Sequence, residues 1–366
     1  MKPKLFFVIP FLTKGGAQRV VCNLSNYFNN KNYLVTIFVL NQCEIGYHLD
    51  GGVKVVFLNH RKGRENIVYR VFFAFSIFFK LFYHIAKSSP KHIISFTTTA
   101  NLWTGILSTI LQIPYIVSER TVPERTINAY SPIASKIVCW LYKNATAIVV
   151  PSKGMVAELR KNKNLLHANN IHVIRNPVSI FKDPSGVSVH PKPFILAVGR
   201  LHYVKGFDLL IDSYNDLKIN NLDLIILGDG TVREKLTKQI SSLGLTNSVI
   251  LVGRKENVQD YYDQCELFVL SSRNEGYPNV LIEAMNAGCA SIAVDCVTGP
   301  SEIIENKVNG ILIENGNKVV LTKAIRELLA DETLKETISK NARKIGEANS
   351  MEALAQDWEK LIKNHD

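Results

Sequence analysis

Few of the short motifs that announce a chemistry occur in this 366-residue sequence. Its six cysteines, Cys22, Cys43, Cys139, Cys265, Cys289 and Cys296, form no C-x-x-C pair. That excludes a zinc ribbon and a thioredoxin-like redox site and leaves reduced, mostly buried thiols of a cytosolic protein. With neither H-E-x-x-H nor an Asp-x-Asp pair, no metal ligands stand out. A P-loop is missing too, and Gly228-Asp229-Gly230 lacks the third glycine of the dinucleotide fingerprint, so it reads as a tight strand-to-helix turn rather than a phosphate cradle. No apolar run approaches the roughly 18 residues of a membrane span. The nearest, Val71 to Phe79, is closed by Arg70 and Lys80. The chain is therefore expected to be soluble or peripheral. Internal repeats and low-complexity tracts are absent.

Acidic residues are scarce in one half only. Residues 1–190 carry 23 Lys and Arg against 7 Asp and Glu, a balance of +16, whereas residues 191–366 carry 20 against 25, a balance of −5. A cationic N-terminal half fits a nucleic acid, a phosphorylated ligand or an anionic lipid surface, or else a solvated basic face. No RNA-binding aromatic motif or helix-turn-helix pattern accompanies the charge, so nucleic acid is not expected.

At about 150 residues per domain the length corresponds to two domains. The opening, Lys2 to Leu12, puts two lysines before an apolar stretch as a signal peptide does. However, Gly15-Gly16 leads into Ala17, Val20, Val21, Leu24 and Phe28 at helical spacing, which reads as strand, glycine turn and helix. Strands are expected at Leu5–Ile9, Leu34–Val39, Val53–Leu58, His92–Phe96, Tyr115–Ser118, Ala147–Val150 and Ile171–Ile174, alternating with helical patterns. A segment through Pro184, Gly186, Pro191 and Pro193 then reads as a linker, after which strands resume at Phe194–Val198, Leu222–Leu227, Val249–Val252, Leu267–Leu270, Ser291–Val294 and Ile311–Ile313. The expected fold is α/β, with two doubly wound, Rossmann-like domains facing a cleft: residues 1–180, a linker at 181–193, and residues 194–350. A terminal helix over 351–366 would pack back on the first domain. Ligands of such sheets lie beyond the carboxyl ends of the strands.

The most informative segment is Ser271-Ser272-Arg273-Asn274-Glu275-Gly276-Tyr277-Pro278-Asn279-Val280-Leu281-Ile282-Glu283. It follows an apolar strand, turns at Gly276 and Pro278, and starts a helix whose first N–H groups form an anion site. Glu275 precedes that helix and Glu283 lies about one turn inside it. The first carboxylate could reach a ligand ahead of the helix and the second could accept from a vicinal diol, or the two could be a dipole-favoured carboxylate and a solvated helical residue.

Glu275 and Glu283 form an E-x7-E pair that resembles the motif of retaining glycosyltransferases with the two-Rossmann GT-B fold, of family four. Gly15-Gly16, Val198-Gly199-Arg200-Leu201 with Lys205-Gly206, Gly228-Asp229-Gly230, Val252-Gly253-Arg254 and Thr298-Gly299-Pro300-Ser301-Glu302 agree in order along the whole chain. The wording of Ile94 to Ala100 and Ser118-Glu119-Arg120 is most similar to bacterial enzymes that extend polyprenyl-diphosphate-linked saccharides for O-antigen, capsule or protein glycosylation.

The resemblance implies a nucleotide-diphosphate sugar donor, UDP foremost; with no metal motif in the sequence, no cofactor or metal is expected. Glu275, Arg200 and Lys205 would be catalytic, with both cations on the diphosphate. Gly16, Arg254, Gly276, Tyr277, Pro278, Asn279 and Val280 would surround the donor, and Glu283 would hold its ribose. Where many relatives carry a histidine near the transferred sugar, this chain has Arg120, which cannot act as a general base. Arg120, with Thr98 and Asn101, is the expected acceptor-binding set; a structural ion pair to Glu119 or Glu124 is the alternative for Arg120. A soluble sugar acceptor and a non-catalytic nucleotide-sugar sensor are the other functions compatible with the motifs.

One basic helix bears on the acceptor. Over Arg64 to Lys87, Asn66, Arg70, Lys80, His84 and Lys87 share a stripe that Phe73 and Ile77 interrupt, so its central turns are apolar all round. Such a helix is either buried or in contact with lipid. Arg61, Lys62, Arg64, Arg70, Lys80 and Lys87 would suit anionic headgroups, placing the protein as a peripheral one on the inner face of the cell membrane.

Overall fold

The computed structural model describes residues 2–59, 67–178 and 183–363. Arg61, Lys62, Arg64, Asn66, the side chain of Arg70, and linker residues 181 and 182 lie outside them. Two compact units divide the chain, one of Met1–Pro177 with Met351–Asp366 and one of Val178–Ser350.

The first unit is built on strands β1 (Lys4–Ile9), β2 (Leu34–Val39), β3 (Lys54–Phe57), β4 (His92–Phe96), β5 (Tyr115–Ser118), β6 (Ala147–Val150) and β7 (Ile171–Val173). All are parallel, in the order β3-β2-β1-β4-β5-β6-β7. The second unit holds β8 (Phe194–Val198), β9 (Asp223–Leu227), β10 (Val249–Gly253), β11 (Leu267–Leu270), β12 (Ser291–Asp295) and β13 (Ile311–Glu314), in the order β10-β9-β8-β11-β12-β13. Every strand read from the sequence is present within a residue at each end. The runs are legible because parallel strands are covered on both faces and therefore read as continuous Val, Ile, Leu and Phe.

Successive side chains of β1 point to opposite faces, so Phe6 and Val8 enter one core and Phe7 and Ile9 another. On the first face lie the helices Ile67–Ser88, Thr98–Leu111, Pro132–Asn144 and Lys153–Arg160. On the second lie Gly16–Asn30 and the terminal helix Met351–Lys363, which buries Leu354, Ala355, Trp358, Leu361 and Ile362. Trp358 stacks on Phe96 with ring centroids 5.8 Å apart, and Tyr27 donates to Glu359 Oε1 at 2.9 Å. The helix Ile67–Ser88 resolves the choice between burial and exposure along its own faces: Ile77, Leu81 and Ile85 are buried, whereas Phe72, Phe75, Phe79 and Tyr83 stand in solvent.

In each sheet the order reverses beside the first strand, between β1 and β4 and between β8 and β11. The crevice for a ligand opens at that switch point, outside the carboxyl ends. The loops that leave β8 and β11 therefore frame the candidate site of the second unit, and those that leave β1 and β4 frame the corresponding end of the first.

Candidate active site

Backbone contacts that only glycine permits shape the β8 loop. Gly199 donates to Leu227 O at 2.9 Å, Leu201 to Asp229 O at 3.0 Å and Val232 to Leu201 O at 3.2 Å. A Cβ on Gly228, whose φ is +138°, would strike the Gly199 carbonyl, and one on Gly230 would strike the Leu201 carbonyl. Gly228-Asp229-Gly230 is thus a turn that lets two strand-end loops touch and fixes the path around Arg200. Arg200 itself is exposed at the tip.

Beyond Arg200 the chain makes a short turn, Tyr203–Lys205, and enters the helix Phe207–Leu217 through Gly206 at φ +64°. Three contacts stitch this segment to the loop after β11. Ser271 Oγ donates to Lys205 O at 2.9 Å, and Arg273 N donates to Val204 O at 2.7 Å. The Arg273 guanidinium grips Asp208 through two bonds of 2.7 and 2.8 Å, donates to Tyr203 O, and lies 4.2 Å above the Tyr203 ring. Burial works against the Asp208 carboxylate, yet the fork outweighs it and holds Asp208 below its ordinary value.

The stitching brings the predicted catalytic pair together. Lys205 Nζ meets Glu275 Oε1 at 2.5 Å, and Ser272 Oγ donates to the same oxygen at 2.6 Å. Thr298 Oγ1 donates to the carbonyls of Glu275 and Gly276, and Gly299, at φ +97°, leaves room for Pro278 where a Cβ would crowd its ring. The Gly276-Tyr277-Pro278 turn is thereby braced from β12's side. Tyr277 is buried, with its hydroxyl accepting from Asn349 Nδ2 at 3.1 Å.

Pro278 caps the helix Asn279–Ala287 without a side-chain bond, so the amides of Asn279 and Val280 head it beside Glu275. Glu283 is buried rather than solvated, and its Oε2 accepts from Tyr262 OH at 3.3 Å. Arg254 is exposed just past the end of β10. Among the described residues no group of three or more His, Cys, Asp and Glu side chains is placed to hold a metal ion.

The first unit organises its strand ends differently. Gly16 heads the helix Gly16–Asn30 after β1, with Gly15 N donating to Tyr47 OH at 2.9 Å. After β4, Thr97 takes φ +72°, and the buried Thr98 donates to Glu119 Oε2 at 2.8 Å. Tyr142 OH donates to the same oxygen at 2.8 Å and accepts from Asn101 Nδ2, while Asn101 Oδ1 accepts from Ser95 Oγ at 2.8 Å. Thr98 and Asn101 are therefore committed to a buried network around Glu119, whose pKa burial raises despite those donors.

Arg120 is held by neutral partners. Its Nε donates to Ser118 Oγ at 2.7 Å and Nη1 to Asn176 Oδ1 at 2.6 Å, and the guanidinium lies against both rings of the stacked Phe96–Trp358 pair, 5.2 and 5.8 Å from their centroids. Burial lowers it to about 9, against the pull of Glu119. Its Nη2 is also buried and has no hydrogen-bond partner.

Sequence reasoning missed the supports of these groups. Tyr262 and the Arg273–Asp208 brace act through contacts between distant segments, whereas Ser272 stands only three residues before Glu275. Ser272 and Arg273 carried a signal, both lying inside the informative segment.

The family model described as Glycosyltransferase Family 4 matches residues 14–180, and that described as Glycosyl transferases group 1 matches residues 180–345. The chain is 27% identical to the amylovoran biosynthesis glycosyltransferase AmsD of Erwinia amylovora, over 98% of this chain and 99% of that one. It is 27% identical, over 98% and 99%, to the N-acetylgalactosamine-N,N'-diacetylbacillosaminyl-diphospho-undecaprenol 4-alpha-N-acetylgalactosaminyltransferase of Campylobacter jejuni. Anabaena HepE in complex with UDP-glucose superposes with a TM-score of 0.81 at 19% identity, covering 99% of both chains. Two adjoining domain matches, relatives aligned end to end, and two parallel doubly wound sheets together make this chain a glycosyltransferase of group 1 with the GT-B fold.

Proposed function

We propose that the chain is a retaining, metal-independent glycosyltransferase that moves a sugar from a UDP-sugar to a polyprenyl-diphosphate-linked saccharide in bacterial surface glycan synthesis. The observation that carries this reading is the cluster of Lys205, Ser272 and Glu275 where the β8 and β11 loops meet, directly ahead of the Asn279 helix. A diphosphate there would take the Lys205 ammonium and the Arg200 fork, with the Asn279 and Val280 amides adding donors. Breaking the sugar–phosphate bond adds negative charge to the diphosphate, so donors fixed beforehand stabilise the transition state more than the ground state.

Glu275 would orient the hydroxyls of the transferred sugar together with the braced Gly276-Tyr277-Pro278 backbone, and Glu283 would accept from the ribose diol beside Tyr262. Arg254 would lie near the base, and Gly16 would contribute an amide from the first unit. Because Thr98 and Asn101 are spent on the Glu119 network, they would position acceptor groups indirectly. The buried, partnerless Nη2 of Arg120 is a donor in that unit suited by its charge to a sugar hydroxyl or a phosphate. The polyprenyl-linked acceptor is supported by the activity for which the Campylobacter relative is named, and it implies work at the inner face of the cell membrane.

The test is a panel of nucleotide sugars read first by thermal shift and then by turnover. UDP-sugars are expected to raise the melting temperature, in wild type more than in Arg200→Ala, because ligand that binds only the native state stabilises it. Turnover is expected to survive EDTA. Stabilisation by no nucleotide sugar, or reversible loss of turnover on chelation, would sink the proposal.

A further inference from the structure

The first unit exposes an apolar surface that the catalytic reading leaves unused. On the helix Ile67–Ser88, Phe72, Phe75 and Phe79 are 64%, 60% and 62% exposed and Tyr83 continues their stripe. On Pro132–Asn144, Ile133, Ile137 and Trp140 form a second stripe, with Ile133 74% and Trp140 53% exposed. The spacings i, i+3, i+7, i+11 and i, i+4, i+7 each define one helical face. Between them lies Thr98–Leu111, which touches both neighbours: its Trp103 meets Phe78 with ring centroids 6.1 Å apart, and a Cβ on its Gly105 would come within 3.0 Å of Leu141 Cβ. Its Ile110 is exposed as well.

None of these three helices contains an Asp or Glu. Their exposed charges include Lys87, Lys136 and Lys143, all positive. A two-fold contact with a second copy would set those lysines against one another, since an isologous interface uses the same patch twice. A bilayer with anionic headgroups satisfies both properties at once: aromatic and aliphatic side chains enter the acyl boundary, Trp and Tyr rest at the headgroup level, and lysines meet the phosphates.

We infer that the helices Ile67–Ser88 and Pro132–Asn144 are two feet of a single membrane-docking surface, with Thr98–Leu111 as the instep. The second foot, Ile133, Lys136, Ile137, Trp140 and Lys143, turns a one-helix attachment into a planar one that fixes how the sheet meets the membrane. Helices antiparallel to the strands begin where the strands end, so Phe72 and Ile133 lie toward the same end of the sheet as Arg120. A lipid-linked diphosphate held in that membrane would approach Arg120 without leaving the headgroup layer. The biological purpose rests on the acceptor proposed above; the docking itself does not.

Flotation of the purified full chain with vesicles of phosphatidylethanolamine and phosphatidylglycerol, against vesicles of phosphatidylcholine, tests it. Wild type is expected to float with the anionic vesicles and to be released by salt. Ile133→Asp with Trp140→Asp should lower the partition about tenfold or more, as should Phe75→Asp with Phe79→Asp. Lys136→Glu with Lys143→Glu should weaken binding by about tenfold through charge alone, in a variant that keeps every apolar side chain. Val319→Asp, at an equally exposed position on the helix Lys318–Ala330 of the second unit, should change nothing.

Wild-type flotation of both second-foot variants, equal binding to the two vesicle types, or self-association that these variants abolish without any vesicle binding would each overturn the inference. The vesicles hold no glycan and no donor, so the two readings fail separately. Lost transfer with intact flotation removes the acceptor assignment, and lost flotation in a variant that still glycosylates a detergent-soluble acceptor leaves that assignment standing.

Discussion

Both units place a glutamate at the carboxyl ends of a doubly wound sheet, and they treat it oppositely. Glu275 keeps 12% of its side chain exposed, matched by the Lys205 ammonium and the Ser272 hydroxyl on one oxygen. Glu119 is sunk completely, with two hydroxyl donors and no bonded cation, and burial raises its pKa. The strand scaffold is shared, so the difference comes from the loops. Glycines and an arginine fork pull the second unit's loops close enough to pair charges near solvent, whereas aromatic and amide side chains close over the first unit's carboxyl. A carboxylate that is paired and still partly exposed is available to a ligand. One that is buried and hydrogen-bonded organises its surroundings.

The widest gap between the two should appear in turnover. Glu275→Ala is expected to cost about 10²–10³-fold in kcat while leaving the circular dichroism spectrum and the urea midpoint near wild type. A folded Glu275→Ala enzyme with normal kcat would erase the contrast. Next comes a purely structural effect confined to the first unit: Trp358→Ala should lose about 3–5 kcal/mol, because removing a buried indole packed against Phe96 and Arg120 leaves a cavity. Domain-resolved hydrogen exchange would show it as faster exchange in β1 and β4 with β8 and β11 unchanged.

Smaller again, Glu119→Ala should cost about 2 kcal/mol by leaving the Tyr142 and Thr98 hydroxyls without their acceptor, while Glu119→Gln restores most of it. Identical stability for the alanine and glutamine variants would mean that the network carries no weight.

The smallest effect separates the units by the sign of their pH dependence. Asp208 has a depressed folded pKa, so its contribution is present above the unfolded carboxyl range and is lost as pH falls through the folded value. Glu119 has a raised one, so its contribution is present below the unfolded range and is lost as pH rises through the folded value. Asp208→Asn should lower stability by about 1 kcal/mol at neutral pH and flatten the acid limb. Glu119→Gln should flatten the decline on the opposite side. Urea midpoints measured across pH would expose either sign as wrong.

What could be read directly from residue order follows the same division. The thirteen strands were legible because each is a local run of β-branched and aromatic residues, and the Ser271–Glu283 segment because its turn, proline and helix are contiguous. Packing that joins distant segments left no local mark. Nothing near Arg120 announces that Trp358 and Asn176 flank it, and nothing near Glu275 announces Lys205, seventy positions earlier. The helix over Ile67–Ser88 shows a subtler limit. Its periodicity is equally compatible with a buried face and a lipid-facing one, and only the position of its neighbours distinguishes Ile77 from Phe79.

The return of the helix Met351–Lys363 to the first sheet has a consequence for how the molecule is made. Trp358 fills a core whose other walls, Phe7, Phe28 and Phe96, leave the ribosome far earlier. At roughly 5–20 residues per second, that core waits on the order of ten seconds or more with one wall missing while the whole second unit is synthesised. The nascent first unit is thus a natural client for chaperones, and a stop codon in the last helix would strip the oldest part of the protein rather than the newest.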